Sequence, residues 1–460
     1  MAALGLPLLV APGCAGSDRK QDVAPNILLV ITDDQPSETV SHMPFLRNEI
    51  AAKGVSFERA YCGDPLCDPS RSCVFLGKHL HNHRMPANDD PGGGARVFKE
   101  RGWETKTYLY HLKDLGYDVG YFGKWLHHEW GHTPEGVDRA FTFVGSPHRP
   151  GHFEVYDSRD RRNQRVGRRN RDGSENWDDT DLMREKAEKW IRDRRDSGRP
   201  FVCVFAPFAP HGPYGDDFVP ERVEERFDDA SRPSGPYDDL PEHYEATAKG
   251  RDDDKNIREY RDKLKEVRVV DDAMRALTGA VESVDRTGST YVFFTTDQPY
   301  MLGEHGLRTK GTFYDHSSKV PLFVRGPEVP QGVATDALAT NVDLFATFLD
   351  IAGGDPALLG SSDGRSLLPA MQAKTPDGWR KRVLVEHEVG EGFRMIREDR
   401  LCYVEFENGD KLAYDMVEDP DQTTNIHWSL DASEQERLAG ALAAFDGCSG
   451  KACRVAEDAP

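Results

Sequence analysis

Short, uninterrupted apolar runs separated by longer amphipathic stretches dominate the first three quarters of the chain. Asn26–Thr32 reads Asn-Ile-Leu-Leu-Val-Ile-Thr, and Tyr117–Phe122, Phe201–Ala206, Thr290–Thr296 and Pro321–Val324 share its character. Runs this short, rich in β-branched and aromatic residues, mark strands covered on both faces. Between them, helical spacing of apolar positions predicts helices over Met43–Ala52, Ser70–Leu80, Thr107–Leu115, Asp181–Arg194, Ile257–Val284 and Asp343–Ile351. Strands alternating with helices predict an α/β sandwich with a large, mainly parallel central sheet.

After Gly354 the pattern changes. Val383–His387, Phe393–Arg397, Leu401–Glu407 and Lys411–Asp415 read as short strands, Asn408-Gly409 as a hairpin turn, and Ser433–Phe445 as a helix. The expected organisation is a leader and linker over residues 1–24, a large α/β domain over 25–365, a small C-terminal antiparallel-sheet and helix subdomain over 366–447, and a tail over 448–460. The stretch from His211 to Asn256, rich in Pro, Asp and Glu, is expected to be a long surface excursion.

A formal charge of −20 excludes non-specific nucleic-acid binding, which needs a basic surface. An anionic substrate would therefore have to be met by positive charge gathered locally. Leu4–Val10 is too short to span a bilayer, and with Ala-Pro-Gly-Cys14 after it resembles the apolar part of an export signal. The expectation is an exported protein, extracellular or a cell-surface lipoprotein anchored at Cys14; the competing reading is an unstructured cytosolic leader. Among the eight cysteines, Cys448 and Cys453 are spaced to close a small disulfide loop or to lie free in a frayed tail.

Ligands of open α/β sheets bind beyond the carboxyl ends of the strands. Asp33 and Asp34 follow the first run, and Asp297 and Gln298 follow Thr290–Thr296. Together they would form an all-oxygen site suited to a hard cation such as Ca²⁺, although acidic residues at strand ends also cap helices and begin turns. Cys67 precedes Pro69-Ser70-Arg71, which opens a helix, so its side chain lies where backbone N–H groups favour an anion. It is either a nucleophile position, or a buried thiol or half of a disulfide with Cys62 or Cys73.

Pro65-Leu66-Cys67-Asp68-Pro69-Ser70-Arg71 resembles the signature of the sulfatases of the alkaline phosphatase-like superfamily, in which the Cys is converted to formylglycine (3-oxoalanine). Asn26–Gln35, Gly116–Lys124, Ala209-Pro210-His211, Gly303–Lys310, Asp343–Gly353 and Leu412–Ile426 are further family-like segments, in matching order over roughly residues 25 to 447. Asp68 stands where a small residue is usual, and Gln298 where Asn or His is usual. Several stretches, including Tyr121-Phe-Gly-Lys-Trp125, are loosely similar to glucosamine-6-sulfatase and arylsulfatase relatives.

The resemblance implies hydrolysis of sulfate esters, with a sulfated small molecule or glycan as substrate and a formylglycine-generating enzyme as partner during maturation. It implies one Ca²⁺ held by Asp33, Asp34, residue 67, Asp297 and Gln298, with Arg71 holding the modified residue and the carboxylates. Lys124 and Lys310 would pair with sulfate oxygens, and His211 would protonate the leaving oxygen. His127, preferred to His128, would take the proton that triggers sulfate release. Rival readings are a phosphonate monoester or phosphodiester hydrolase, and a non-catalytic sulfoglycan-binding protein. Arg159 to Arg171 holds seven arginines, expected either as a solvated hairpin or as a basic rim drawing in a polyanionic glycan. Conversion of the Cys67 thiol to an aldehyde should lower the mass of its peptide by about 18 Da, unlike the mass gains of ordinary cysteine oxidation; mass spectrometry of that peptide checks this.

Overall fold

In the computed structural model the apolar runs become the middle of one wide sheet. The residues described are 24–145, 152–167, 178–212, 220–223, 227–232, 253–285, 288–372 and 375–459. Their strands are β1 (Asn26–Thr32), β2 (Val55–Phe57), β3 (Ala60–Tyr61), β4 (Asp118–Gly123), β5 (Arg139–Val144), β6 (His152–Asp157), β7 (Arg162–Gly167) and β8 (Phe201–Ala206). They continue with β9 (Thr290–Thr296), β10 (Leu322–Arg325), β11 (Val333–Thr335), β12 (Ala339–Thr340), β13 (Arg382–His387), β14 (Phe393–Glu398), β15 (Leu401–Phe406) and β16 (Lys411–Asp415). Among the described residues, ten strands form one sheet in the order β11-β2-β10-β9-β1-β8-β4-β5-β6-β7. The central strands β9, β1, β8, β4 and β5 are parallel, and antiparallel pairings appear toward both edges.

The two-sided burial inferred for β1 has a direct counterpart. Ile27, Leu29 and Ile31 pack into one core with Val74, Leu109 and Leu344, whereas Leu28 and Val30 point into another with Trp190, Leu264 and Met274. Helices Cys67–Leu76, Tyr108–Asp114 and Asp343–Ile351 cover the first face, and Asp179–Arg192 and Asp253–Val284 the second. Because the central strands are parallel, their carboxyl ends share one edge, which brings the residues after β1, β4, β8 and β9 together.

Two expectations change. Met43–Ala52 is not one regular α-helix: a π turn over Leu46–Ile50 passes into a 3₁₀ turn over Ala51–Lys53. Asp271 takes the N–H groups of Phe45 and Leu46 at its start. Gly54 ends it, where a Cβ would lie 2.1 Å from the Val324 carbonyl oxygen. The arginine run folds as the hairpin β6–β7, and its register places the turn away from the carboxyl ends of the parallel strands. Arg159 and Arg162 there pair with Asp193 and Asp160 as in a solvated hairpin. Arg159, Arg161 and Arg162 therefore do not rim the site; Arg165 lies toward the other end, opposite Glu154. Arg168, Arg169 and Arg171 lie outside the described residues, as do Leu4–Val10, Cys14 and most of the stretch from His211 to Asn256.

β13 to β16 form an antiparallel sheet. One face, with Val383, Val385, Met395 and Val404, packs on Tyr61, Met301 and Phe313 of the large layer. The other, with Leu384, Ile396 and Tyr403, is covered by Leu438 and Leu442 of helix Ala432–Ala443. Residues set apart as a tail are folded: Cys448 and Cys453 are disulfide-bonded, and helix Lys451–Asp458 buries Cys453, Ala456 and Glu457. The fully buried Arg380 guanidinium lies 2.6 Å from Asp343 and 3.1 Å from Glu457, tying this helix to the large layer. No helix among the described residues is long and apolar enough to cross a membrane. Arg380→Ala would leave the buried Asp343 carboxylate without its ion pair, while Glu457 keeps Arg365, and should cost about 3–5 kcal/mol of unfolding free energy, read by urea denaturation.

Candidate active site

At the carboxyl edge of the sheet, three carboxylates converge on the first turn of helix Cys67–Leu76. Asp33, Asp34 and Asp297 are all buried, as are Cys67, Arg71 and Gln298. Ligand atoms of Asp33, Cys67 and Asp297 lie within 4.8 Å of one another, and those of Asp33, Asp34 and His211 form an overlapping group. The Cys67 thiol donates to Asp33 Oδ1 at 3.6 Å, and receives Gln298 Nε2 at 3.3 Å and Lys310 Nζ at 2.8 Å. Lys310 Nζ also donates to Asp34 Oδ1 at 2.6 Å, and Lys124 Nζ donates to Asp33 Oδ2.

Arg71 joins the parts. Its Nε donates to Asp297 Oδ2 at 2.9 Å, one terminal nitrogen to Asp33 Oδ2 at 3.4 Å, and the other to the Lys124 carbonyl oxygen at 2.9 Å. Ser70 Oγ donates to the Asp297 carbonyl oxygen, so successive residues of the helix hold both ends of that strand terminus. His211 lies with Nε2 3.4 Å from Asp34 Oδ2 and its ring 4.6 Å from that of Phe208.

Burial raises the Asp33 pKa, but Lys124, His211, Arg71 and Lys310 together hold it well below the usual carboxylate range. Asp297 goes the other way, to about 6, because burial and the neighbouring Asp33 charge outweigh its bond to Arg71. Three carboxylates whose oxygens converge in one buried place form a donor set of the kind that holds a hard cation. The buried Gln298 Oε1 has no hydrogen-bond partner, while Nε2 lies 2.6 Å from Asp34 Oδ1. Turning that amide over would aim its oxygen into the carboxylate group, so the donor set fits a hard cation. Burial and the Asp33 charge push the Cys67 thiol up to about 12, so the unmodified side chain is no thiolate nucleophile at neutral pH.

His127 stands outside this cluster. Its ring is held by Asp68, and it lines a narrow cleft with Lys124, Phe143, Gly145 and Phe208. His128 is exposed and bound to Asp89. His81 is bonded to Glu386, and His305 is buried against the Tyr314 ring at 3.7 Å.

Sequence reasoning missed several residues here. Lys263, buried on the long helix, donates at 2.9 Å to the carbonyl oxygens of both Asp34 and Pro210. It thereby holds Asp34, whose φ of 58° is in the left-handed region, beside the segment leading to His211. A lysine on an amphipathic helix gives no local signal of such a role. Asn341 takes the Gly63 N–H at 2.9 Å and donates to Ser70 Oγ at 2.8 Å. His387 of β13 reaches Asp64 Oδ1 at 3.1 Å.

With this geometry in place, the comparisons define the class. The family described as Sulfatase matches residues 25–354, and N-sulphoglucosamine sulphohydrolase, C-terminal, matches residues 303–443. The chain belongs to the sulfatase family and is an enzyme that hydrolyses sulfate esters. Among particular relatives, it is 27% identical to human N-acetylglucosamine-6-sulfatase, over 98% of this chain and 90% of that protein. A Sulf-1 homolog of Caenorhabditis elegans is 28% identical over 81% of this chain, which spans 54% of that relative's length. A solved structure of BT4656 with its substrate D-glucosamine-2-N,6-O-disulfate superposes with a TM-score of 0.76 at 22% identity, covering 91% of this chain and 97% of the other.

Burial raises the Asp64 pKa to about 6 against the opposing pull of His387, whose own pKa is raised by Asp64. The native state then holds more protons than the unfolded one from the ordinary carboxylate range upward, so this pair's stabilisation falls as pH rises through about 6. Asp64→Asn should flatten that part of the profile of unfolding free energy against pH; urea titrations between pH 4 and 7 would show an unchanged slope if the pair does not carry it.

Proposed function

We propose that this chain is a Ca²⁺-dependent sulfatase whose nucleophile is formylglycine made from Cys67, acting on a sulfated amino sugar. The observation that carries the reading is the convergence of Asp33, Asp34, Asp297 and Gln298 on Cys67, with Lys310 touching Cys67 and Lys124 touching Asp33. In our reading Asp33, Asp34, Asp297, Gln298 and residue 67 hold the cation, which when bound supplies polarisation of a sulfate oxygen. Lys124 and Lys310 pair with the remaining sulfate oxygens. They supply the local positive charge that a chain of net charge −20 requires.

His211 and His127 are assigned the proton transfers. Burial pushes His211 down to about 3 against the pull of Asp34 and Asp33, and a bound sulfate would draw it upward. The amino-sugar preference rests on the human and bacterial relatives named for glucosamine sulfates, and export on relatives named as extracellular sulfatases. We also read residues 25–365 as the catalytic unit and 366–447 as its C-terminal subdomain.

The test compares kcat/KM on matched aryl sulfate and aryl phosphate esters and on N-acetylglucosamine-6-sulfate, before and after chelation. Sulfate should be preferred, chelation should abolish turnover reversibly, and Cys67→Ala should lose at least about 10⁴-fold in kcat. Preference for phosphate or phosphonate would make the chain a phosphorus ester hydrolase, and saturable binding without turnover would make it a glycan-binding protein.

A further inference from the structure

Asp68, the signature position where a small residue is usual, has no counterpart among the roles assigned above, yet it is fully buried beside the nucleophile. Its carboxylate accepts two backbone N–H groups from two other segments and faces one imidazole nitrogen. Gly94 N–H reaches Oδ2 at 3.0 Å, His127 N–H reaches Oδ1 at 3.0 Å, and His127 Nδ1 lies 2.8 Å from Oδ1. The backbone N–H of Asp68 donates in turn to Asn88 Oδ1 at 3.0 Å. One side chain thus ties the first turn of helix Cys67–Leu76 to the segment over 88–94 and to the loop that follows β4.

The chemistry of this contact determines the imidazole. An ionised carboxylate only accepts, so the ring nitrogen facing it carries the hydrogen. A neutral His127 then has its lone pair on Nε2, an atom with no hydrogen-bond partner among the described residues. The ring is about one fifth exposed and lines the same cleft as Lys124 and Phe208. An acceptor group that sets a histidine's tautomer and ring orientation is the recurring way proteins prepare an imidazole for proton transfer.

We propose that Asp68 is a positioning residue, which fixes His127 with Nδ1–H toward itself and Nε2 as the proton-accepting atom on the cleft wall. This rests on the assignment of His127 to proton transfer. The departure from a small residue at position 68 is then one half of a pair, and His127, three residues after Lys124, is the other half.

Three measurements test it. In the wild-type protein, ¹⁵N chemical shifts of His127 should show the Nδ1–H tautomer; the Nε2–H tautomer would overturn the proposal without any substitution. Asp68→Asn should lower kcat about 10–100-fold with KM within about twofold, once activity is normalised to the fraction of residue 67 converted, and should leave a mixed tautomer. His127→Asn should lose as much, and the double variant no more, because the two residues act through one atom. If His127→Asn lowers kcat while Asp68→Asn, folded and converted, stays within twofold, the orienting role is wrong and the assignment of His127 stands. If His127→Asn leaves kcat unchanged, that assignment fails and the proposal falls with it.

Discussion

A single buried guanidinium holds the catalytic edge together. Arg71 reaches the carboxylates ending β1 and β9 and the backbone at the end of β4, all from the first turns of the helix that carries Cys67. Removing Arg71 would leave buried Asp297 without its ion pair and Asp33 with Lys124, a costly change in so dry a place. The carboxylates that would hold a cation, the residue that would be modified and the lysine that would meet the sulfate therefore occupy fixed relative positions before any ligand arrives. Preorganisation of this kind lets charges act on a reacting group without rearranging at the moment of reaction.

The same edge reverses the charge of the molecule as a whole. Arg71, Lys124, Lys310 and Lys263 gather around Asp33, Asp34 and Asp297, in a chain of net charge −20. The thiol at their centre is chemically quiet, since burial and a neighbouring carboxylate keep it protonated. Reactivity at position 67 has to be installed, and the surroundings suit an oxygen nucleophile beside a hard cation better than a thiolate.

The C-terminal sheet takes part in this arrangement. The Glu386 N–H binds the Gly63 carbonyl oxygen at 2.9 Å, His387 binds Asp64, and the Gly311 N–H binds the Pro65 carbonyl oxygen at 2.9 Å. The segment leading into Cys67 is thus braced by β13 and by the residue after Lys310. A small antiparallel sheet that reads as an appendage along the sequence is one wall of the loop that carries Cys67.

Much of this was legible in the linear chain. The apolar run of β1 required burial on both faces, parallel strands required one shared edge, and that edge brought Asp33, Asp34, Asp297, Gln298 and Lys124 into one neighbourhood. The segment Cys67-Asp68-Pro69-Ser70-Arg71 was legible as a helix start because its residues are successive and lie in its first turns; the nucleophile proposed there came from its resemblance to the sulfatase signature. Strands β5 to β7 were not placed in the sheet because charged and polar residues interrupt their runs, and joining the sheet depends on β5 pairing with β4. Lys263, Asn341, His387 and the Asp68–His127 contact were decided only by the tertiary structure. Hydrogen bonds between residues tens to hundreds of positions apart have no period and no composition, so they leave no trace until the packed layers bring donor and acceptor within 3 Å or so.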